Sequence, residues 1–205
     1  MSLNLLKLEV GPWPMNSYII SCPETNKCAI IDPGADAKKI LKAVDRFKME
    51  YILVTHGHAD HVGALENIRK MTGAQVCAHS EDAAHFKIDT DLILFEGDEI
   101  EIGSYGVKIH HTPGHTEGQI SFDLLDGRVL VGDTIFVGGP GKTFSSNGFT
   151  VTMETMQEIV FKWADETKFF PGHGPAGMIG IERPAFDRFV DSGWEKDLFG
   201  DVAWD

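Results

Sequence analysis

The sequence is poor in cysteine, in basic residues and in long apolar runs, and each shortage argues against a class of protein. Its 205 residues include three cysteines, an odd number without C-x-x-C spacing, so a disulfide framework is not expected. The 18 basic and 31 acidic side chains give a formal charge of −13, which would repel nucleic-acid phosphates. No run approaches transmembrane length, and no secretory signal pattern opens the chain. We therefore expect a cytoplasmic protein that binds neither nucleic acid nor membrane.

Internal repeats, low-complexity tracts and linkers are also missing, which predicts a single domain over residues 1–205. This length is sufficient to bury a substantial core. Residues from about 192 to 205 form an acidic, aromatic C-terminal tail. Phe199 and Trp204 of this tail are expected to pack back onto the domain, with a homodimer contact as the alternative.

Apolar periodicity predicts strands interleaved with helices. Strands are predicted near residues 5–10, 16–22, 27–31, 51–54, 75–78, 107–111, 119–125, 128–131 and 168–170. Helices are predicted over residues 36–48, 61–72, 152–164 and 182–191. The glycine-rich segment 138–148 predicts a loop. This alternation indicates an α/β fold with a mixed sheet covered by helices.

One short segment concentrates metal-binding side chains directly after an apolar run. Six consecutive positions hold three imidazoles and a carboxylate, namely His56, His58, Asp60 and His61. The preceding run, residues 51–54, predicts a buried strand, so these side chains follow its C-terminal end, where open α/β sheets build their sites. Imidazole and carboxylate bind borderline divalent metals such as zinc when several converge. The segment therefore predicts a metal site.

Three further candidate ligands lie in glycine-containing turns downstream: His115, Asp133 and His173. Such turns hold a side chain rigidly at a strand end. Seven ligands are too many for one tetrahedral ion and suit two metals with a shared carboxylate. Asp60 and Asp133 brought together without a cation would disfavour each other's ionised form. Two divalent ions reverse that balance and lower the pKa of a bound water, to about 7 on zinc.

The same residues, in the same order, resemble the signature of the metallo-β-lactamase superfamily from the Asp32-Pro33-Gly34 turn to His173. The resemblance implies a four-layer αβ/βα sandwich, with two mixed sheets face to face and helices outside. It also implies two divalent ions, zinc in the first place, with iron or manganese as alternatives. The implied ligands of the first ion are His56, His58 and His115, and those of the second are Asp60, His61 and His173, with Asp133 bridging both.

Within the superfamily, the chain is similar to short, single-domain enzymes of the glyoxalase II (hydroxyacylglutathione hydrolase) branch. In that branch a lysine followed two residues later by an aromatic stands near the metals, and the lysine binds a carboxylate of glutathione. Lys142 and Phe144 occupy those positions, so both are candidate substrate-binding residues; a solvated loop lysine is the alternative for Lys142. Phe144 lacks the hydroxyl usual in the branch, and Gly174 replaces an acid. About thirty residues follow His173, so the helical domain that completes the glutathione site is not expected.

The resemblance implies a metal-dependent hydrolase that cleaves a thioester or related acyl ester of a small molecule. A hydroxide between the two metals would attack the acyl carbon, and Asp60, the candidate catalytic residue, would orient it and later shuttle its proton. The alternative is an oxidoreductase similar to persulfide dioxygenases, which keep this pattern around a single iron. Those enzymes typically have Gly-Arg-Thr-Asp where this chain has Gly-Lys-Thr-Phe at residues 141–144, which favours the hydrolase. A purely structural metal site is disfavoured because such sites are closed and often rich in thiolate.

Overall fold

Two six-stranded mixed sheets form the centre of the fold in a computed structural model, which describes residues 2–204. The first sheet contains six strands in sequence order: β1 (Asn4–Val10), β2 (Met15–Ser21), β3 (Lys27–Ile31), β4 (Lys48–Leu53), β5 (Gln75–Ala78) and β6 (Leu92–Ile93). Strands β1 to β3 pair antiparallel, and β3 to β6 pair parallel. The parallel strands end at one edge, so the loops that follow them meet there.

The second half of the chain forms the other sheet. This half of the chain contains the strands β7 (Glu99–Ile102), β8 (Tyr105–His111), β9 (Ile120–Asp123), β10 (Arg128–Gly132), β11 (Ile135–Phe136), β12 (Gly139–Pro140), β13 (Lys168–Pro171) and β14 (Gly177–Met178). The sheet order is β14-β13-β10-β9-β8-β7, while β11 and β12 form a separate two-stranded ribbon. Strands β10 and β13 pair parallel and the other neighbours antiparallel.

Helices cover the outer faces of both sheets. They are α1 (Ala37–Val44), α2 (Ala59–Val62), α3 (Leu65–Thr72), α4 (Ser80–Ala83), α5 (Ser146–Glu158) and α6 (Ile179–Ser192). One apolar cluster includes Ile20 and Phe122 and joins the two sheets, and two others pack helices against them. The predicted four-layer sandwich is therefore confirmed. Within residues 2–204, no helix has both the length and the apolar composition needed to cross a bilayer.

Several helix boundaries differ from the sequence-based prediction. The helix predicted over 36–48 ends at Val44, and β4 already begins at Lys48. The helix predicted over 152–164 begins at Ser146, inside the segment predicted as a loop. Ser145 caps it, since its hydroxyl accepts a hydrogen bond from the Gly148 amide at 3.0 Å. A capped first turn tolerates glycine that a helix interior would not. The helix predicted over 61–72 is in fact two helices, α2 and α3, separated by Gly63 and Ala64.

The prediction that both aromatic residues of the C-terminal tail pack onto the domain is confirmed for one of them. Trp204 is 2% exposed and packs its indole against Phe186 and Phe189, with ring centroids 5.2 and 5.5 Å apart. Phe199 is 53% exposed, so the prediction that it packs back was wrong. Trp194 also packs on the domain, since its ring stacks on Phe189 at 5.7 Å, so two tryptophans fix the tail.

Candidate metal centre

All seven predicted metal ligands meet at the edge where strands of both sheets end. The first sheet supplies four of them after β4, on the loop and on the short helix α2: His56, His58, Asp60 and His61. The second sheet supplies three, each in the connection that follows β8, β10 or β13: His115, Asp133 and His173. The centre is therefore assembled from both halves of the fold.

Three imidazoles form one group of donor atoms. His58 Nδ1 lies 3.1 Å from His56 Nε2 and 2.9 Å from His115 Nε2. His56 is fully buried, and burial, followed by the charges of neighbouring histidines, lowers its pKa well below the usual range. Burial likewise lowers the pKa of His115. Both rings are thus neutral, which is the form that binds a metal.

Asp60, His61 and His173 form a second group. His173 Nε2 lies 3.1 Å from Asp60 Oδ2. Asp133 lies between the groups: its Oδ1 is 3.4 Å from His61 Nε2, while its Oδ2 is 3.7 Å from His115 Nε2 and 3.8 Å from His173 Nε2. One carboxylate therefore faces side chains of both groups, which is the position predicted for a shared ligand.

Four of the five histidines have their outer nitrogen Nδ1 fixed by an oxygen acceptor outside the cluster. His61 Nδ1 donates to Asp32 Oδ2 at 2.9 Å, and His115 Nδ1 donates to the Lys142 carbonyl at 2.7 Å. His56 Nδ1 faces Thr55 Oγ1 at 3.1 Å, and His173 Nδ1 faces the Pro14 carbonyl at 3.2 Å. Each of these contacts directs Nε2 into the centre, as expected for ligating imidazoles.

The donor atoms fit a divalent cation. His61 Nε2 and Asp133 Oδ1 are buried and have no hydrogen-bond partner among the described residues. Ligand atoms bound to tetrahedral zinc at about 2.1 Å lie about 3.4 Å apart, and the distances quoted above between donor atoms of the cluster range from 2.9 to 3.8 Å. A cation between these atoms would satisfy both orphaned groups. The centre is thus a His/Asp cluster suited to divalent metals.

Asp32 is a site residue whose role the sequence analysis missed. Its carboxylate is 1% exposed and accepts the Thr55 amide at 2.8 Å and the Thr55 hydroxyl at 2.7 Å, in addition to His61. Burial opposes a charge on His61, but the carboxylates of Asp32 and Asp133 outweigh it and raise the pKa of His61 to about 10. A proton and a metal ion are alternatives at His61 Nε2. The parallel pairing of β3 with β4 could have revealed Asp32, because both strands end at this edge.

Asp82 is a second buried carboxylate that the sequence did not single out. It accepts the Thr116 hydroxyl at 2.7 Å, and its carboxylate also faces the backbone amide of Gly57. Thr116 follows the candidate ligand His115, while Gly57 lies between the candidate ligands His56 and His58. Burial raises the pKa of Asp82 despite these hydrogen bonds. Asp82 therefore ties together the two loops that carry the first group.

The two predicted substrate-binding residues lie beside the first group. The Phe144 ring is 63% exposed and contacts His58 and His115 at centroid distances of 5.8 and 6.0 Å. A cavity of about 320 Å³ opens next to them and is lined by His115, Phe144 and the first turns of α5. The Lys142 carbonyl supports His115, while its ammonium group lies 2.9 Å from Asp201 Oδ2. The loop thus reaches the centre through both backbone and side chains.

Known proteins are similar to this chain in sequence. A sequence profile of the family described as Metallo-beta-lactamase superfamily matches residues 10–180. Hydroxyacylglutathione hydrolase of Pseudomonas putida KT2440 is 33% identical over 179 residues, which are 82% of this chain and 66% of that protein. The Probable metallo-hydrolase YqgX of Bacillus subtilis is 30% identical over 199 residues, 86% of this chain and 93% of YqgX. The chain thus spans just under two thirds of the first relative and nearly all of the second.

Solved structures have the same architecture. ETHE1 from Myxococcus xanthus superposes with a TM-score of 0.81 and 28% identity, covering 90% of this chain and 84% of that one. TTHA1623 in a di-iron-bound form superposes with a TM-score of 0.75 and 25% identity, covering 87% and 96%. Each superposition covers at least 87% of this chain, so the similarity extends over both sheets.

Proposed function

The chain belongs to the metallo-β-lactamase superfamily, and we propose that it is a hydrolase with two metal ions that cleaves thioesters or related acyl esters of small molecules. The observation that carries the proposal is the position of Asp133, whose two carboxylate oxygens face His61 on one side and His115 and His173 on the other. A carboxylate so placed suits a pair of cations better than one.

The proposed ligand sets follow the two groups. His56, His58 and His115 would hold the first ion, Asp60, His61 and His173 would hold the second, and Asp133 would be available to both. Zinc is the proposed metal, with iron or manganese as alternatives, because imidazole and carboxylate accept all three. Divalent ions bound here supply Lewis-acid activation of a water molecule and of the acyl carbonyl.

Asp60 is the proposed catalytic residue. Its side chain is 44% exposed, the most accessible carboxylate of the cluster, so it can reach both water and substrate. In thioester hydrolysis the C–O bond forms as the C–S bond breaks, and the attacking water loses a proton. Asp60 accepts that proton and passes it to the departing thiolate. His173 Nε2 lies 3.1 Å from this carboxylate, as expected for two proposed ligands of the same ion.

Phe144 and the adjacent cavity are the proposed substrate side of the centre. The exposed Phe144 ring offers an apolar face beside His58, and the cavity of about 320 Å³ has room for a small acyl group or thiol. The relative named hydroxyacylglutathione hydrolase supports a thioester as the substrate class. We also propose a reducing, cytoplasmic location, since Cys22, Cys28 and Cys77 are free thiols.

A second candidate function is oxidation at a single iron. The similarity to ETHE1 from Myxococcus xanthus favours it. The loop sequence of residues 141–144 favours the hydrolase. The two candidates differ in metal content and in oxygen consumption, so one preparation can distinguish them.

The test combines elemental analysis with activity assays on protein purified without added metal. We expect two equivalents of zinc and hydrolysis of S-lactoylglutathione or a simple thioester. Asp60→Asn should lower kcat by about a hundredfold or more, while Asp45→Asn, an exposed carboxylate at the end of α1, should not change it. One iron with oxygen uptake on glutathione persulfide, or wild-type turnover by Asp60→Asn, would refute the proposal.

A further inference from the structure

The C-terminal tail, residues 193–204, is hydrogen-bonded to the loop of residues 138–144 beside the metal centre. The Thr143 amide donates to the Gly200 carbonyl at 3.1 Å, and the Gly200 amide donates to Thr143 Oγ1 at 3.2 Å. The Trp204 amide donates to the Gly138 carbonyl at 2.9 Å. Because the Trp204 indole is buried in the helical layer, the tail is a fixed neighbour of this loop rather than a loose extension.

The tail places one carboxylate directly on Lys142. Asp201 Oδ2 lies 2.9 Å from Lys142 Nζ, and the two side chains are 79% and 49% exposed. One lysine and no arginine occur in the segments that carry the predicted ligands, residues 55–61, 112–118, 132–145 and 171–175. Asp201 therefore neutralises the single cationic side chain of these segments, in a chain whose formal charge is −13.

This arrangement has a consequence for substrates with a charged leaving group. A carboxylate on the thiol that approached Lys142 would have to displace Asp201 or remain next to its negative charge. Either course weakens binding of an anionic substrate, whereas an uncharged thioester meets no such competitor. Since both side chains are exposed, the expected effect on affinity is a few-fold rather than many orders of magnitude.

We propose that Asp201 is a specificity-determining residue that biases the centre toward thioesters with uncharged leaving groups and against anionic thiols such as glutathione. The inference rests on the proposed thioester hydrolysis, and it adds a residue outside the superfamily's metal motifs. It makes the tail part of the substrate site through one ion pair.

The test compares two substrates with the same acyl group, S-lactoylglutathione and S-lactoyl-N-acetylcysteamine. The measured quantity is the ratio of kcat/KM for the glutathione thioester to kcat/KM for the uncharged one. Asp201→Asn should raise this ratio about three- to fivefold, through KM, and Asp201→Lys about tenfold. Asp197→Asn is the matched control: Asp197 is exposed on the same tail and has no ion pair among residues 2–204, so the ratio should not change.

The remaining outcomes separate this inference from the proposed function. In a Lys142→Ala background, Asp201→Asn should no longer alter the ratio; a persistent effect would overturn the inference, as would equal changes on both substrates. If the wild type hydrolyses neither thioester, the proposed function fails, and binding decides the inference. Asp201→Asn should then tighten binding of S-hexylglutathione, a thioether that cannot be hydrolysed, and an unchanged calorimetric Kd would overturn it.

Discussion

Asp32 Oδ2 lies 2.9 Å from His61 Nδ1, and both side chains are buried. The hydrogen bond fixes the ring so that Nε2 faces Asp133 inside the metal centre. The orientation of the His61 ring therefore depends on the Asp32 carboxylate, which follows the neighbouring strand β3, even without a bound metal.

Asp32→Asn should weaken the second group of ligands. The amide keeps the shape of the side chain but replaces one acceptor oxygen by a donor, which leaves His61 or Thr55 without its partner. We expect metal affinity to fall about 10- to 100-fold and the free energy of unfolding to fall by about 1–3 kcal/mol. Competition with a chromophoric chelator and urea unfolding measure the two effects. Unchanged metal affinity would show that His61 does not need Asp32.

Asp82→Asn should act on the first group instead. Its carboxylate bonds Thr116 and faces Gly57, so the neutral amide would loosen the loops that carry His58 and His115. We expect the affinity of this group for cobalt to fall roughly tenfold. Titration with cobalt, monitored by its d–d absorption, measures the change. Glu81→Gln is the control, because Glu81 is the exposed neighbour on α4. Equal effects of both substitutions would contradict a positioning role for Asp82.

Gly34→Ala tests how closely the Asp32-Pro33-Gly34 turn approaches α2. A Cβ at Gly34 would lie 1.7 Å from the Asp60 carbonyl oxygen and 2.1 Å from Met15 Cε, so backbone must move. We expect a loss of about 3 kcal/mol in the free energy of unfolding. Gly73→Ala meets nothing within 4 Å but has a φ of 69°, and should cost only about 1 kcal/mol. Urea unfolding of both variants checks the order, and a reversed order would refute the close approach.

Trp204→Ala tests the anchor of the tail. Removing a fully buried indole should cost about 3–5 kcal/mol and should raise KM for thioesters, because the 138–144 loop loses its support. Trp13→Ala is the matched control: Trp13 is 77% exposed, so its loss should change stability by less than about 0.5 kcal/mol. Thermal unfolding and steady-state kinetics measure both variants. A Trp204→Ala protein as stable as Trp13→Ala would contradict the anchoring.

The sequence was sufficient to predict which side chains gather in the candidate metal centre. Each candidate ligand follows an apolar run or occupies a glycine-containing turn, and imidazole and carboxylate have restricted metal chemistry, so position and residue type agree. The four layers followed from the family resemblance, whereas periodicity alone supported only an α/β fold.

The residues that surround the ligands could not be predicted in the same way. Asp82 is one acid among 31, and no local pattern marks it as buried. The contact between Lys142 and Asp201 joins positions 59 apart through exposed side chains, which leaves no trace in periodicity. The start of α5 was missed because the cap at Ser145 outweighs the low helix propensity of Gly148. Such features depend on tertiary packing.

The first and the second group of candidate ligands each contain two side chains from the segment that follows β4 and one histidine from the second sheet. A cation bound there would be coordinated by both halves of the polypeptide and would stabilise the interface between them. Ion uptake would then favour only molecules whose halves have docked correctly. In a cell short of the metal, the metal-free protein would be less stable as well as inactive, and proteases would degrade it more readily.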